Sequence, residues 1–139
     1  MKVLFVGSNP GNASPDCSAF HPTSRSRIVL DSWLKGLEVK AAYINVYDEK
    51  TENNKPLSSR QIRDSVPSLQ NKISMYDSYR IVAVGAAASK ALKLAGAVDF
   101  LSIPHPSGRT RSYNDKNFTE QTVKTLISFI KGYNINTGV

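Results

Sequence analysis

Cysteine and long apolar segments are both scarce in this chain. The only cysteine is Cys17, and one cysteine cannot form an internal disulfide, a four-cysteine zinc site or a cysteine-held iron–sulfur cluster. These sites are therefore excluded, and we expect no other cofactor or metal. No apolar run approaches the ~20 residues that span a bilayer, and the run from Met1 to Val6 is too short for the core of a signal peptide. These absences predict a cytoplasmic protein without a membrane partner.

Acidic residues are few relative to basic ones. The 139 residues include 18 Lys and Arg but only 11 Asp and Glu, which gives a formal net charge of +7. This balance favours a polyanionic partner, although charge by itself identifies neither a fold nor a reaction. The length is typical of one domain, and a hydrophobic content of 40% is enough for a core. We expect a single domain over residues 1–139 that acts as a monomer.

Four short apolar segments alternate with four amphipathic ones. The predicted strands cover residues 2–6, 41–47, 80–85 and 98–103. The predicted helices begin near Arg25, Ser58 or Ser59, Ala86 and Asn117. Asn117 is followed three residues later by Glu120, which indicates a capping box. Because this alternation is typical of a parallel sheet with helices on both faces, the sequence predicts an α/β protein. Its architecture would be a three-layer α/β/α fold with a central four-stranded parallel sheet.

Polar residues follow three of the predicted strands. Gly7-Ser8-Asn9-Pro10-Gly11 comes directly after the first strand, Asn45 lies near the end of the second, and Pro104-His105-Pro106 follows the fourth. Parallel sheets bind ligands beyond the carboxyl ends of their strands. We therefore expect Asn9, Asn45 and His105 to converge at one edge of the sheet.

Two short motifs at these strand ends resemble the signature motifs of the uracil-DNA glycosylase superfamily. The first is Gly7-Ser8-Asn9-Pro10-Gly11 and the second is His105-Pro106-Ser107-Gly108. Phe20 and Asn45 lie between them in the order that the family requires. The resemblance is nearest to the mismatch-specific and single-strand-selective branches, whose first motif carries Asn. It implies a monofunctional enzyme that hydrolyses the N-glycosidic bond of uracil, or of a 5-substituted uracil, in DNA and leaves an abasic site.

The resemblance also implies roles for individual residues. Asn9 would orient the attacking water and His105 would lie against O2 of the departing base, which makes these two the catalytic residues. Phe20 would stack on the flipped base, and Asn45 would read its edge. The substrate-binding residues implied in this way are Gly7, Ser8, Pro10, Gly11, Phe20 and Asn45. The loop implied to bind DNA contains Ser107, Gly108, Arg109 and Arg111.

Glycosidic cleavage calls for these residue types on chemical grounds. Positive charge develops on the sugar and negative charge on the departing pyrimidine, which preorganised donors can stabilise. A neutral His105 can donate to the base, while the carbonyl of Asn9 can hold a water against the sugar. Because Asn is a weaker base than a carboxylate, we expect slow turnover. The amide of Asn45 matches N3–H and O4 of uracil and mismatches cytosine.

Three of these residues also have a purely structural interpretation. Asn9 before Pro10 is typical of a turn, and Phe20 could belong to the core. Asn45 could make a structural hydrogen bond within the fold, since a buried amide needs a partner. His21, which follows Phe20, could face the pocket, but a solvated position in the loop is the favoured interpretation.

Two other functions fit the same residues. A non-catalytic protein could hold DNA or a modified base in the pocket, and a free nucleotide could bind with residues 7–11 as a phosphate loop. The second is less favoured because the loop lacks the Gly-x-Gly-x-x-Gly and Gly-Lys-Ser patterns. The sequence also departs from the family at two positions. Gly11 stands where the most uracil-selective branch has Tyr, which leaves room for 5-substituted uracils, and Arg109 stands where several relatives have an apolar wedge.

Overall fold

The strands form one parallel sheet. The structure, a computed structural model, describes residues 1–106 and 111–132. Within these ranges the strands are β1 (Lys2–Gly7), β2 (Lys40–Asn45), β3 (Arg80–Val84) and β4 (Phe100–Ile103). The order across the sheet is β2-β1-β3-β4, and every strand pair is parallel.

Helices connect the strands in the predicted alternation. The α-helices of the described ranges are α1 (Arg25–Leu34), α2 (Ser59–Ser74), α3 (Ala86–Leu94) and α4 (Lys116–Ile130). Short 3₁₀ turns cover Glu52–Asn54 and Arg111–Asn114. Among the residues that the structure describes, no helix combines the length and the apolar character needed to cross a membrane.

The helix starts confirm one capping prediction and correct another. At α2, the Ser58 hydroxyl accepts from the N–H of Gln61 at 3.1 Å while the Gln61 side chain accepts from the N–H of Ser58 at 2.8 Å. At α4, the prediction of Asn117 as the cap is wrong. The Asp115 carboxylate accepts from the N–H groups of Asn117 at 2.8 Å and Phe118 at 3.3 Å, so the helix begins one residue after Asp115. A carboxylate that can reach two free N–H groups takes the capping position.

Strand β1 lies in the centre of the core. Val3 and Phe5 pack in the cluster that contains residues of α1 and α4, whereas Leu4 and Val6 pack in the cluster that contains residues of α2 and α3. All four side chains are fully buried, which explains the continuous apolar sequence of this strand. With two helices on each face of the sheet, the predicted three-layer α/β/α fold is confirmed.

The strand register brings the polar strand ends together. Gly7 at the end of β1 lies opposite Asn45 at the end of β2. In the other half of the sheet, β3 and β4 end together. The N–H of Gly85, the residue after β3, donates to the carbonyl of Ile103 at the end of β4 at 2.8 Å. The segments that follow β1, β2 and β4 therefore leave the sheet at the same edge.

Candidate active site

A cavity of about 310 Å³ opens at this edge of the sheet. Its size falls at the lower end of the range of small-molecule pockets, about 300–1,000 Å³. The eight residues predicted to act in catalysis or base binding all line it: Gly7, Ser8, Asn9, Pro10, Gly11, Phe20, Asn45 and His105. The structure thus brings these residues together from four separate parts of the sequence: residues 7–11, Phe20, Asn45 and His105.

Gly7 allows two of these side chains to meet above the end of β1. A Cβ atom added to Gly7 would lie 2.8 Å from Oδ1 of Asn45 and 2.8 Å from Cε2 of Phe20. Such distances are shorter than van der Waals contact, so any larger residue would displace one of the two side chains. The glycine therefore sets the shape of the cavity floor.

Phe20 belongs both to the core and to the cavity wall. It is only 8% exposed, and its backbone lies in the left-handed region at a φ of +50°, which is uncommon for a residue with a side chain. Its ring lies 6.3 Å from that of His105, with 14° between the planes. Arg27 supports this conformation by donating to the carbonyl of Phe20 at 3.2 Å while its guanidinium lies 4.1 Å from the ring centroid of Tyr43. The two interpretations of Phe20 left open by the sequence are thus compatible.

His105 lies beside Phe20 in the segment that follows β4. Its Cβ is 3.6 Å from the position that a Cβ would occupy on Gly85, which has a φ of +98°. Burial lowers the pKa of His105 below its ordinary value of 6.5 and is the only cause of the shift. A neutral imidazole is therefore the stable form at neutral pH, and it carries one N–H donor.

Asn9 is oriented by hydrogen bonds. Its Oδ1 accepts from the hydroxyl of Ser8 at 2.9 Å, and its Nδ2 donates to the carbonyl of Pro10 at 3.3 Å and to the hydroxyl of Thr51 at 3.4 Å. Thr51 in turn donates to the carbonyl of Lys55 at 2.6 Å. Because a carbonyl oxygen has two lone pairs, Oδ1 keeps one acceptor position for a further donor such as water.

The loop that contains Thr51 also contacts the segment that follows the first motif. Oδ1 of Asn54 accepts from the N–H of Asn12 at 2.8 Å, and Nζ of Lys50 donates to the carbonyl of Ser14 at 2.5 Å. None of these residues was predicted from the sequence. Their segment is an aperiodic polar loop, and nothing in it signals that it would lie against residues about forty positions earlier.

Two polar groups in the cavity wall have no hydrogen-bond partner within the described residues. Asn45 is 5% exposed, and its side-chain amide makes no hydrogen bond there, since its contact with Lys72 runs through the main-chain carbonyl. The hydroxyl of Ser14 is buried and unpaired within the same part of the chain. A fully buried hydroxyl such as that of Ser14 normally has a partner. A cavity wall with an unpaired amide and an unpaired hydroxyl is suited to a polar ligand.

His21 and the start of α1 form a polar rim. Nδ1 of His21 accepts from the N–H of Thr23 at 3.1 Å, and Nε2 lies 4.0 Å from Asp16. His21 lines the cavity and its side chain is 19% exposed, which agrees with the pocket-facing alternative and not with the solvated loop position that the sequence favoured. The other polar residues of the rim are Ser18, Thr23, Ser24, Arg25 and Ser26. Within the described ranges, no group of three or more His, Cys, Asp or Glu could hold a metal ion.

The predicted DNA-binding loop is described in part. Ser107, Gly108 and Arg109 lie outside the described residues, while Arg111 begins the second 3₁₀ turn and is exposed. Tyr113 of that turn donates its hydroxyl to the carbonyl of Pro104 at 2.6 Å. Burial raises the pKa of Tyr113 to about 12, which keeps this donor protonated. The turn that carries Arg111 is thereby tied to the segment that carries His105.

Comparison with known proteins agrees with the two motifs. Residues 1–127 match the family model described as the Uracil DNA glycosylase superfamily. Neither the search of curated proteins nor the search of solved structures finds a match. The family match covers both the fold and the cavity, and it supports an enzyme of the DNA glycosylase type that acts on DNA. This chain belongs to the uracil DNA glycosylase superfamily.

Proposed function

We propose that this protein is a monofunctional DNA glycosylase that removes uracil, or a related 5-substituted uracil, from DNA and leaves an abasic site. The observation that carries the proposal is the meeting of Asn9, Phe20, Asn45 and His105 in one cavity of a chain in this superfamily. The proposed branch is the one whose first motif carries Asn.

The substrate base must leave the DNA stack before it can enter the cavity. Extrusion costs a few kcal/mol, and less when the base is mispaired or already single-stranded. Phe20 compensates in part, because stacking a base on an aromatic ring contributes about 1–3 kcal/mol. The unpaired amide of Asn45 then pairs with N3–H and O4 of uracil. Cytosine is rejected because its N3 and amino group would leave this buried amide mismatched.

Hydrolysis breaks the bond between C1′ of the sugar and N1 of the base. The electron pair leaves with the base, the water oxygen bonds to C1′, and the water proton passes to solvent. His105, neutral because it is buried, donates to O2 and stabilises the developing anion. Asn9 uses its remaining acceptor position to orient the water. It cannot serve as a strong base, which accounts for the expected slow turnover.

Space in the cavity supports the admission of 5-substituted uracils. A Cβ added to Gly11 would meet no atom of the described residues within 4 Å. The bulky side chain that would exclude a 5-substituent is therefore lacking at this position.

DNA is the proposed partner, held chiefly through phosphates. The loop of Ser107, Gly108, Arg109 and Arg111 is proposed to contact the backbone beside the flipped nucleotide, since small residues permit close approach and arginines make charge-assisted bonds to phosphate. The net charge of +7 is consistent with such a partner. The monomeric state, the cytoplasmic location and the absence of a cofactor stay predictions of the sequence.

A binding protein without catalysis is the second candidate, and one observation favours it. The Ser8 hydroxyl already occupies one acceptor position of Asn9 at 2.9 Å, which weakens the hold of the amide on a water. Such a protein would bind the same flipped base and leave the glycosidic bond intact.

A panel of labelled oligonucleotides distinguishes the candidates. The strands carry uracil, a 5-substituted uracil, a thymine mismatch or hypoxanthine, and each is treated with protein and then with alkali. We expect alkali-dependent breaks at uracil that EDTA does not prevent, and no borohydride-trapped adduct, since neither motif contains a lysine that could attack the sugar. Binding of the uracil strand without breaks would instead identify the binding protein.

A further inference from the structure

Asn45 stands between the cavity and a groove on the open side of β2. Its side chain lines the cavity, and its main-chain carbonyl faces Lys72 of α2. Nζ of Lys72 donates to that carbonyl at 2.9 Å and to Oδ1 of Asp48 at 2.7 Å. The Lys72 side chain is only 22% exposed, so this ammonium group is largely withdrawn from water.

The peptide unit between Asn45 and Val46 is held on both of its sides. The N–H of Val46 donates to the carbonyl of Gly7 at 2.9 Å, which attaches the unit to β1. The carbonyl of Asn45 points the opposite way, toward the open edge of the sheet, because β2 is an edge strand. Edge carbonyls ordinarily face water, but here the lysine of a packed helix fills the position.

The residues that follow extend this attachment. The N–H of Tyr47 donates to the carbonyl of Ser8 at 2.9 Å, and Asp48 then supplies the second contact of Lys72. The lysine therefore joins both ends of the short segment from Asn45 to Asp48. Its ammonium group cannot move without releasing one of them.

We propose that Lys72 is a positioning residue for base recognition. It fixes the main chain of Asn45, and this in turn sets the direction in which the Asn45 amide enters the cavity. The proposal rests on the proposed function, in which Asn45 reads the base. Lys72 does not line the cavity and touches no substrate in this role. It holds the amide, which has no partner of its own within the described residues, in the orientation that pairs with uracil.

Single-turnover excision of uracil by Lys72→Met tests the proposal, with Arg60→Met as the matched control. Arg60 lies on the same helix and pairs with Asp64 at 3.7 Å, with side chains 85% and 67% exposed. Both variants remove one charge from α2, but only the first releases Asn45. We expect Lys72→Met to slow excision about tenfold, the loss typical of one hydrogen bond to a charged group. Arg60→Met should stay within about twofold of the wild type. Equal rates in the two variants would overturn the proposal.

A double-mutant cycle separates positioning from a general structural effect. In the Asn45→Ala background the amide is gone, so Lys72→Met should slow the reaction no further and should leave affinity for a noncleavable duplex unchanged. Lys72→Arg keeps the charge and the donors and should recover most of the rate. Additive losses in the double variant would show that Lys72 acts by another route, and the proposal would fail.

The carbonyl ¹³C chemical shift of Asn45 provides a readout that needs no activity. Lys72→Met should change this shift and Arg60→Met should not. If the wild type excises no uracil, the proposed function fails, while the shift still decides whether Lys72 holds this main chain. If Lys72→Met does not fold, Asp48→Asn replaces it, with an expected loss in rate of about threefold. An unchanged rate and an unchanged shift in Asp48→Asn would overturn the proposal.

Discussion

The candidate site has two parts that the protein holds in different ways. The packed part consists of Gly7, Phe20, Asn45 and His105. The hydrogen-bonded part consists of Ser8, Asn9 and Thr51. In the first, an extra Cβ on Gly7 would come within 2.8 Å of two side chains. In the second, the side chains are joined by hydrogen bonds of 2.9 and 3.4 Å. The packed part has no room for added volume, whereas the hydrogen-bonded part can lose one partner and keep the rest.

The two parts have different roles in the proposed reaction. The packed part would bind and stabilise the base, a planar group that demands a fixed shape. The hydrogen-bonded part would orient a water, which needs direction more than shape. Substitutions in the packed part should therefore change stability or rate through added volume or a lost donor. Substitutions in the hydrogen-bonded part should slow the reaction to a degree that depends on which hydrogen bond is lost.

The largest expected effect is that of His105→Ala in the packed part. Loss of one donor to a developing anion typically costs about 2.7–4 kcal/mol, or roughly 10²–10³ in rate. Single-turnover cleavage measures this loss, while the fold and most of the DNA affinity should remain. His21→Ala, which removes the other histidine of the wall, should cost less than about tenfold, because at most one neutral hydrogen bond is lost. Cleavage by His105→Ala at near the wild-type rate would place the site elsewhere.

Asn9→Ala and Thr51→Val should show graded effects in the hydrogen-bonded part. The first removes the group that orients the water and should slow cleavage about a hundredfold, the scale of a misplaced reactant. The second removes one amide partner at 3.4 Å and should cost only about threefold, since the Ser8 contact remains. If Thr51→Val slows cleavage as much as Asn9→Ala in the same single-turnover assay, the hydrogen-bonded part does not tolerate the loss of one partner.

Gly7→Ala should destabilise the protein and Gly11→Ala should not. The new methyl at position 7 overlaps Asn45 and Phe20 and should lower the free energy of unfolding by about 1–3 kcal/mol. At position 11 no described atom lies within 4 Å, so the change should stay within about 0.5 kcal/mol. Urea midpoints measure both. Similar midpoints for the two variants would contradict the packed arrangement.

Asn45→Asp keeps the shape of the packed part and changes only its hydrogen-bonding groups. A carboxylate can accept from the amino group of cytosine, so the uracil-to-cytosine rate ratio should fall about tenfold. Rates on matched oligonucleotides with each base give the ratio. If the preference for uracil is unchanged, Asn45 does not read the base.

The smallest effect is expected from Arg111→Ala, which lies outside both parts. Loss of one phosphate contact should lower affinity for all sequences alike and reduce the salt slope of the log–log plot by about one. Anisotropy on a noncleavable duplex at several salt concentrations measures the slope, and Asn45→Ala should leave it unchanged. A slope that is normal even in the Arg109→Ala, Arg111→Ala double variant would mean that this loop does not face DNA.

The fold could be predicted because its signals are local. A strand such as β1, buried on both faces, requires a continuous apolar run, and the register of a parallel sheet places its strand ends at one edge. The first residues of helices and strands were harder to predict, because several neighbouring residues could occupy the same capping or terminal position. Asp115 and not Asn117 caps α4, and β4 begins at Phe100 and not at Val98, which is 95% exposed.

The site was predictable in its packed part and only partly in the other. Gly7, Asn45 and His105 lie at or just after strand ends, where the topology determines that they meet. Phe20 lies in the loop between β1 and α1 and was assigned only by the family resemblance. The contacts of Thr51, Ser14 and Lys72 depend on how an aperiodic loop and a helix side chain approach the motif from a distance. No spacing in the sequence encodes that approach, so these residues appear only in the structure.

The most direct test of the proposed function is the release of free base from a uracil-containing oligonucleotide under single-turnover conditions. Mass spectrometry follows both the released base and the strand. The expected products are one uracil and one intact abasic strand per cleaved molecule, formed by the wild type and nearly lost in the His105→Ala and Asn9→Ala variants. Tight binding without release of uracil by the wild type, or equal release by all three proteins, would contradict it.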